Sequence, residues 1–186
     1  NPLYGSRAAS DALRSLITAG RSNLMEAEHT RIVSRSIDAH ETLTNALARA
    51  TSINTSFAAG NGLAAQLQMV ARMISAADEL QARRQVFLVS LGGFDTHDNL
   101  TSTHPELLAT VASAMASFQS AMNELGVARQ VTAFTASDFG RTLTGNTDGS
   151  DHGWGSMHFL MGGAVQGGRH YGVPPVVANG GPDDVG

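Results

Sequence analysis

Asp95, His97, Asp98 and Asn99 fall within five positions, directly after the apolar run VFLVSL and the pair Gly92-Gly93. A second group follows the apolar stretch QVTAFTA: Ser137, Asp138 and Arg141, then Asp148, Asp151, His152 and His158 in NTDGSDHGWGSMH. Histidine mixed with carboxylate, and no thiolate among them, suits a catalytic zinc, manganese or similar divalent ion. Such an ion lowers the pKa of a bound water and stabilises charge on a transferring group. Arg141 could clamp an oxyanion through two parallel N–H bonds, a role matched to phosphate or sulfate esters.

Ordinary structural roles compete for several of these residues. Asp98 and Asn99 suit an Asx-type loop leading into the next helix. Asp148 sits in NTDGS, where turn chemistry accounts for it. Asp151-His152, taken alone, is a weak motif, and His170 reads as an exposed residue. His104 lies in THPE, a capping pattern with Thr103 as cap and Glu106 closing it. His29 and His40 have no carboxylate at ligand spacing and read as solvated. The metal reading therefore rests on Asp95, His97, Asp138, Asp151, His152 and His158, with Arg141 as the catalytic cation.

Composition narrows the chemistry further. Cysteine is absent, which removes thiolate ligands, disulfides and cysteine nucleophiles. Lysine is absent too, so all 12 basic residues are arginines and no Walker or Schiff-base lysine exists. A formal charge of −4 gives no electrostatic case for nucleic acid. No apolar run approaches the roughly 20 residues of a membrane span. The glycines of MGGAVQGGRHYG lack the strand–GxGxxG–helix order of a nucleotide cradle and read as turn formers.

The elements that must position these residues are legible in outline. Residues 1–56 carry soft helical spacing (Leu13, Leu16, Ile17; Ile32, Val33, Ile37; Leu43, Leu47), which predicts two or three helices broken near Gly20 and Ser52. Leu63, Leu67, Val70, Ile74 and Ala77 form a sharper helical stripe, extended by Met69 and Met73. Residues 85–91 read as a strand covered on both faces. A helix follows with Leu108, Val111, Met115, Phe118, Met122 and Leu125 on one side, ending at Gly126 as its C′ glycine. Residues 130–136 read as a second strand. Strand, helix, strand implies a right-handed βαβ crossover and a parallel sheet, with both polar groups at one sheet edge. A further strand is expected within MHFLMGGAV.

The segments LGGFDTHDN, FTASDFGRTLTGN, DGSDHGWG and MGGAVQGGRHYG, in that order from about Leu63 to Gly186, resemble a bacterial exported domain-of-unknown-function family related to alkaline phosphatases and sulfatases. The resemblance implies an α/β fold of alkaline-phosphatase type: a three-layer α/β/α domain over residues 57–186 with a mostly parallel sheet, expected to be incomplete at both ends, preceded by a helical segment over 1–56. It also implies a periplasmic or exported location and a bound divalent metal such as zinc. Asp95 and His97 match the first metal loop, at closer spacing than the usual Asp-x-x-x-His. Asp138 matches the aspartate after the second strand, with Phe139 where relatives have His, and His152 matches the downstream histidine. In the other register, Asp151-His152 is the Asp-His pair and His158 the downstream ligand.

Relatives draw their nucleophile from a loop near the start of the domain, and nothing before Leu63 resembles it. Two functions follow. One is a metal-dependent hydrolase of small anionic phosphate or sulfate esters. The other is a non-enzymatic exported protein that keeps the scaffold for binding or assembly, with the N-terminal helices available to an unidentified protein partner.

Overall fold

In the computed structural model, residues 2–153, 155–178 and 180–184 are described. The chain divides into two compact units: Asn1–Ala50 with Ala76–Arg83, and Thr51–Ser75 with Arg84–Gly186.

The first unit carries helices α1 (Arg7–Ile17) and α2 (Leu24–Arg49). Ser6 caps α1 by accepting from the Ala9 N–H, and Asn23 caps α2 by accepting from Met25 and Glu26. Each side-chain oxygen thereby satisfies amides that the helix itself leaves open. Arg14 of α1 pairs with Glu41 and, at 3.7 Å, with Asp38 of α2. Arg49 reaches Glu79 at 3.7 Å. These are exposed ion pairs of small individual worth.

The second unit is built on α3 (Gly62–Ser75) and α4 (Leu100–Glu124), which pack on each other. Leu63, Ala64, Leu67, Val70 and Ala71 of α3 meet Val111, Ala114, Phe118, Ala121 and Met122 of α4 in one core. The helical stripe read from sequence forms this seam, with small residues letting the helices approach. Burial of Phe118 or Met122 contributes about 1.5–3 kcal/mol each. Met69, in contrast, is on the solvent side of α3. Asn61 ties the pair together: its Oδ1 accepts from Ala64 N–H at 2.9 Å, and its Nδ2 donates to the Thr110 carbonyl at 2.9 Å. No helix among the described residues is long and apolar enough to cross a membrane.

The start of α4 differs from the capping pattern in THPE. The helix begins four residues earlier, after Asn99, whose φ of 56° places it in the left-handed region. Thr103, Pro105 and Glu106 then lie inside α4. Pro105 is the sixth residue of the helix, past the first turn, so it removes the N–H that would have bonded the Thr101 carbonyl. At the other end, Gly126 has φ 72°, and Val127 N–H reaches back to the Met122 carbonyl, closing the helix as a C′ glycine does.

The three-layer α/β/α fold with a mostly parallel sheet is overturned. The described strands form two separate two-stranded antiparallel sheets. β1 (Thr132–Phe134) pairs with β4 (Leu160–Gly162), and β2 (Gly140–Gly145) pairs with β3 (Ser150–Gly153). The βαβ crossover fails at its first strand. Residues 85–91 are extended but carry no ladder among the described residues. Phe87, Val89 and Leu91 pack against the core, whereas Val86 and Leu88 are 98% and 96% exposed. One face of this segment is therefore covered, where a parallel strand would have both faces buried. In place of a neighbouring strand, the Gln66 side chain of α3 accepts from Ser90 N–H at 3.1 Å and donates to its carbonyl at 2.9 Å. A continuous apolar run signals extended backbone, but it does not specify the partner strand, which lies far away in sequence.

Glu124, at the end of α4, anchors the segment before α3. Its carboxylate accepts from Asn54 N–H and Nδ2 at 2.6 and 2.9 Å, and from Thr55 N–H and Oγ1 at 2.8 and 2.6 Å. The Thr55 hydroxyl foremost, and then the Asn54 amide, push its pKa from 4.5 down to about 2. A depressed folded pKa stabilises the fold above the unfolded value, and that contribution disappears as pH falls through the folded one. Wild type is therefore expected to lose stability between about pH 5 and 2, while Glu124→Gln shows a flatter profile there. Urea midpoints across that range, followed by circular dichroism, check it. Identical profiles would show that the carboxylate carries no such linkage.

Candidate metal centre

The centre is built where the segment after residues 85–91 meets the β2–β3 hairpin. Asp95 and His97 flank the buried Thr96, whose N–H closes a tight turn onto the Phe94 carbonyl at 2.9 Å, and both side chains reach the hairpin. On the hairpin, Arg141 and His152 are cross-strand partners. Residues directly opposite in an antiparallel pair project from the same face. The four side chains meet. Asp95 Oδ1 accepts from His152 Nε2 at 2.7 Å and from an Arg141 terminal nitrogen at 3.1 Å, and it lies 3.1 Å from His97 Nε2.

One donor atom each from Asp95, His97 and His152 lies within 4.8 Å of the other two. A tetrahedral ion with bonds of about 2.0–2.1 Å separates its ligand atoms by about 3.3 Å. The observed 2.7 and 3.1 Å need only a small opening to reach that spacing. The three side chains are 47–57% exposed, so the centre stands at the surface with room for water or substrate at a fourth position.

The surrounding groups orient these three. His97 Nδ1 lies 3.1 Å from Asp151 Oδ1, which also accepts from Asn146 Nδ2 at 2.7 Å. With Nδ1–H donating to Asp151, Nε2 is left free to ligate, the usual carboxylate–histidine–metal arrangement. The His152 ring stacks on Phe139, with centroids 4.1 Å apart and planes at 2°. Arg141 Cζ lies 4.9 Å from the same phenyl centroid. Asp95 is held below the usual carboxylate range, chiefly by the hydrogen bond from His152 and further by the charges of His152, His97 and Arg141. It thus stays ionised, as a ligand must.

Arg141 is the tie between the two segments. One terminal nitrogen donates to the Ser150 carbonyl at 2.6 Å, and the other to the Phe94 carbonyl at 2.6 Å as well as to Asp95. At 20% exposure its side chain is the most covered of the charged groups here. Backbone contacts reinforce the joint: Ser150 N–H donates to Thr96 O and Leu100 N–H to Asp148 O. Thr96 and Ser150 are both buried, and Ser150 Oγ has no hydrogen-bond partner among the described residues. Gly149 packs directly on the carbonyl of His97.

Asp95, His97 and His152 therefore converge, with Asp151 on the outer nitrogen of His97 and Arg141 on Asp95. Asp138 is exposed and takes no part in that cluster. His158 lies with Ser156 and Thr135 instead. His104 meets Phe94 edge-on at 6.0 Å, a packing contact. Trp154 of the DHGWG motif lies outside the described residues. Sequence reasoning noted Phe139 only as standing where relatives have His, and left Asn146 and Gly149 to turn chemistry. The one local signal was turn chemistry: NTDG between two short runs is a hairpin signature, and pairing those runs brings Arg141 opposite His152.

Neither a curated protein nor a solved structure matches this chain. A family model does match, over residues 5–181, nearly the whole sequence, and its description is "Protein of unknown function (DUF1501)". The chain that places these two loops around Asp95 thus belongs to the DUF1501 family.

Proposed function

We propose that Asp95, His97 and His152 hold a divalent cation, zinc by ligand type, in a metal-dependent hydrolase of phosphate or sulfate esters related to the alkaline phosphatases and sulfatases. The observation that carries this reading is the convergence of Asp95 Oδ1, His97 Nε2 and His152 Nε2 from two segments more than 50 residues apart in sequence. Two histidines and one carboxylate form the set that keeps a fourth position open in catalytic zinc sites. A cation bound there would polarise an ester oxygen or activate a water. Asp151 fixes the ring of His97, Phe139 fixes the ring of His152, and Arg141 holds Asp95 against both. The resemblance of the four sequence motifs also supports export to the periplasm, which osmotic-shock fractionation of cells making the whole protein checks.

The test is metal content followed by turnover. Protein purified without chelators is expected to carry about one divalent ion per chain by elemental analysis. It is also expected to hydrolyse an aryl phosphate or aryl sulfate in a reaction that EDTA stops and zinc restores. Stoichiometric metal without turnover would favour the binding or assembly role. Absence of metal, with no uptake on zinc titration, would overturn the centre itself.

A further inference from the structure

A second cluster lies apart from the three ligands. Ser156 Oγ is 2.9 Å from His158 Nε2, and Thr135 Oγ1 is 3.3 Å from His158 Nδ1. Thr135 sits just past β1, on the strand-end side of the β1–β4 pair, and its hydroxyl also accepts from Phe159 N–H at 2.9 Å. That bond fixes the threonine oxygen and leaves its second lone pair for an Nδ1–H. In that tautomer Nε2 is the acceptor and Ser156 O–H the donor. Hydroxyl, imidazole and a third group on the far ring nitrogen form the arrangement that activates a serine. His158 was a metal candidate by sequence, yet both its nitrogens are met by hydroxyls.

We propose that Ser156, His158 and Thr135 form a metal-independent nucleophilic site for small neutral carboxylic esters, with Ser156 as nucleophile, His158 as general base and Thr135 as the residue that positions the imidazole. All contacts in the trio are between neutral polar groups, and among the described residues no arginine bonds to it, which favours a neutral ester over an anionic one. Ser156 and His158 are exposed, so an ester reaches the hydroxyl without any opening of the fold. In the first step Ser156 Oγ bonds to the ester carbonyl carbon while its proton passes to His158 Nε2. The tetrahedral adduct then breaks its bond to the alcohol oxygen, and the alcohol leaves with the proton from Nε2. Water attacks the acyl-serine by the same route, giving up a proton to Nε2 that returns to Ser156 Oγ, and the carboxylic acid is released.

An alkyl fluorophosphonate, which loses fluoride on attack by an activated serine, is the probe. Intact protein incubated with it after EDTA treatment is expected to gain one adduct, mapped by peptide mass spectrometry to Ser156. Ser156→Ala should gain none, and His158→Gln should label at least tenfold more slowly with an unchanged melting curve. Thr135→Val should also slow labelling, with Thr135→Ser restoring it, which a merely structural threonine would not do. No adduct on wild type, an adduct elsewhere, or a rate indifferent to His158→Gln would each overturn the proposal. Because the protein is stripped of metal throughout, none of these results depends on the Asp95 centre.

Discussion

Replacing Asp95 by Ala is expected to abolish stoichiometric zinc binding, with an affinity loss of more than about 100-fold. Losing only an outer-shell partner of a metal ligand costs about 10–100-fold, and Asp95 is the ligand itself. Its Oδ1 is the one atom contacted by His152, His97 and Arg141 together. Without it, two imidazoles and a guanidinium face one another with no anion between them. The fold should survive, because Arg141 keeps its bonds to the Phe94 and Ser150 carbonyls. Competition against a chromogenic zinc chelator measures the affinity, and a thermal melt confirms that the variant is folded. Wild-type affinity in folded Asp95→Ala would show that the cluster is a hydrogen-bond network and not a metal centre.

The second large effect comes from a residue with no side chain. A methyl on Gly149 would stand 2.0 Å from the His97 carbonyl oxygen, 2.2 Å from its carbon and 2.8 Å from Asp98 N. All three are backbone atoms, which cannot swing aside as a flexible side chain does. Gly149→Ala must therefore push the β2–β3 hairpin away from the loop that carries His97. Overpacking of this kind costs about 1–3 kcal/mol, which lowers the melting temperature by roughly 2–4 °C per kcal/mol in a chain of this size. The same shift withdraws His152 from Asp95 and His97, so zinc affinity should fall at least tenfold. Gly155→Ala is the matched control, since a methyl there meets nothing within 4 Å. If Gly149→Ala and Gly155→Ala behaved alike in both melt and titration, the close approach of hairpin and loop would be refuted.

The helical seam was the most legible part of this molecule. Leu63, Leu67 and Val70 on α3, and Val111, Phe118 and Met122 on α4, recur at helical spacing, and that period reports a buried face without any knowledge of its partner. The strands were less legible, because a strand is defined by a neighbour that local sequence does not name. The run at 85–91 is nearly continuous in apolar residues, yet only alternate ones are covered, and a glutamine from α3 fills part of the ladder. The hairpin was hidden for the opposite reason. GRTLTG and SDHG are too polar and glycine-rich to show alternation, and their pairing holds through register and the turn between them.

The sequence by itself determined the available chemistry. With no cysteine, histidine and carboxylate are the side chains left for a zinc-type site, and with no lysine every cationic side chain apart from histidine is an arginine. It also singled out Asp95 and His97, two positions apart in the loop after an apolar run, as the leading ligand candidates. Only the tertiary structure decided which of the remaining candidates join them. The β2–β3 register sets Arg141 opposite His152 and turns both toward Asp95; Asp138 stays outside the cluster, and the β1–β4 pairing brings His158 beside the Thr135 hydroxyl. Residue type decides what an atom can bind. Which atoms come within 3 Å depends on strand register and on a hairpin backbone close enough to its neighbour that Gly149 has no room for a methyl group.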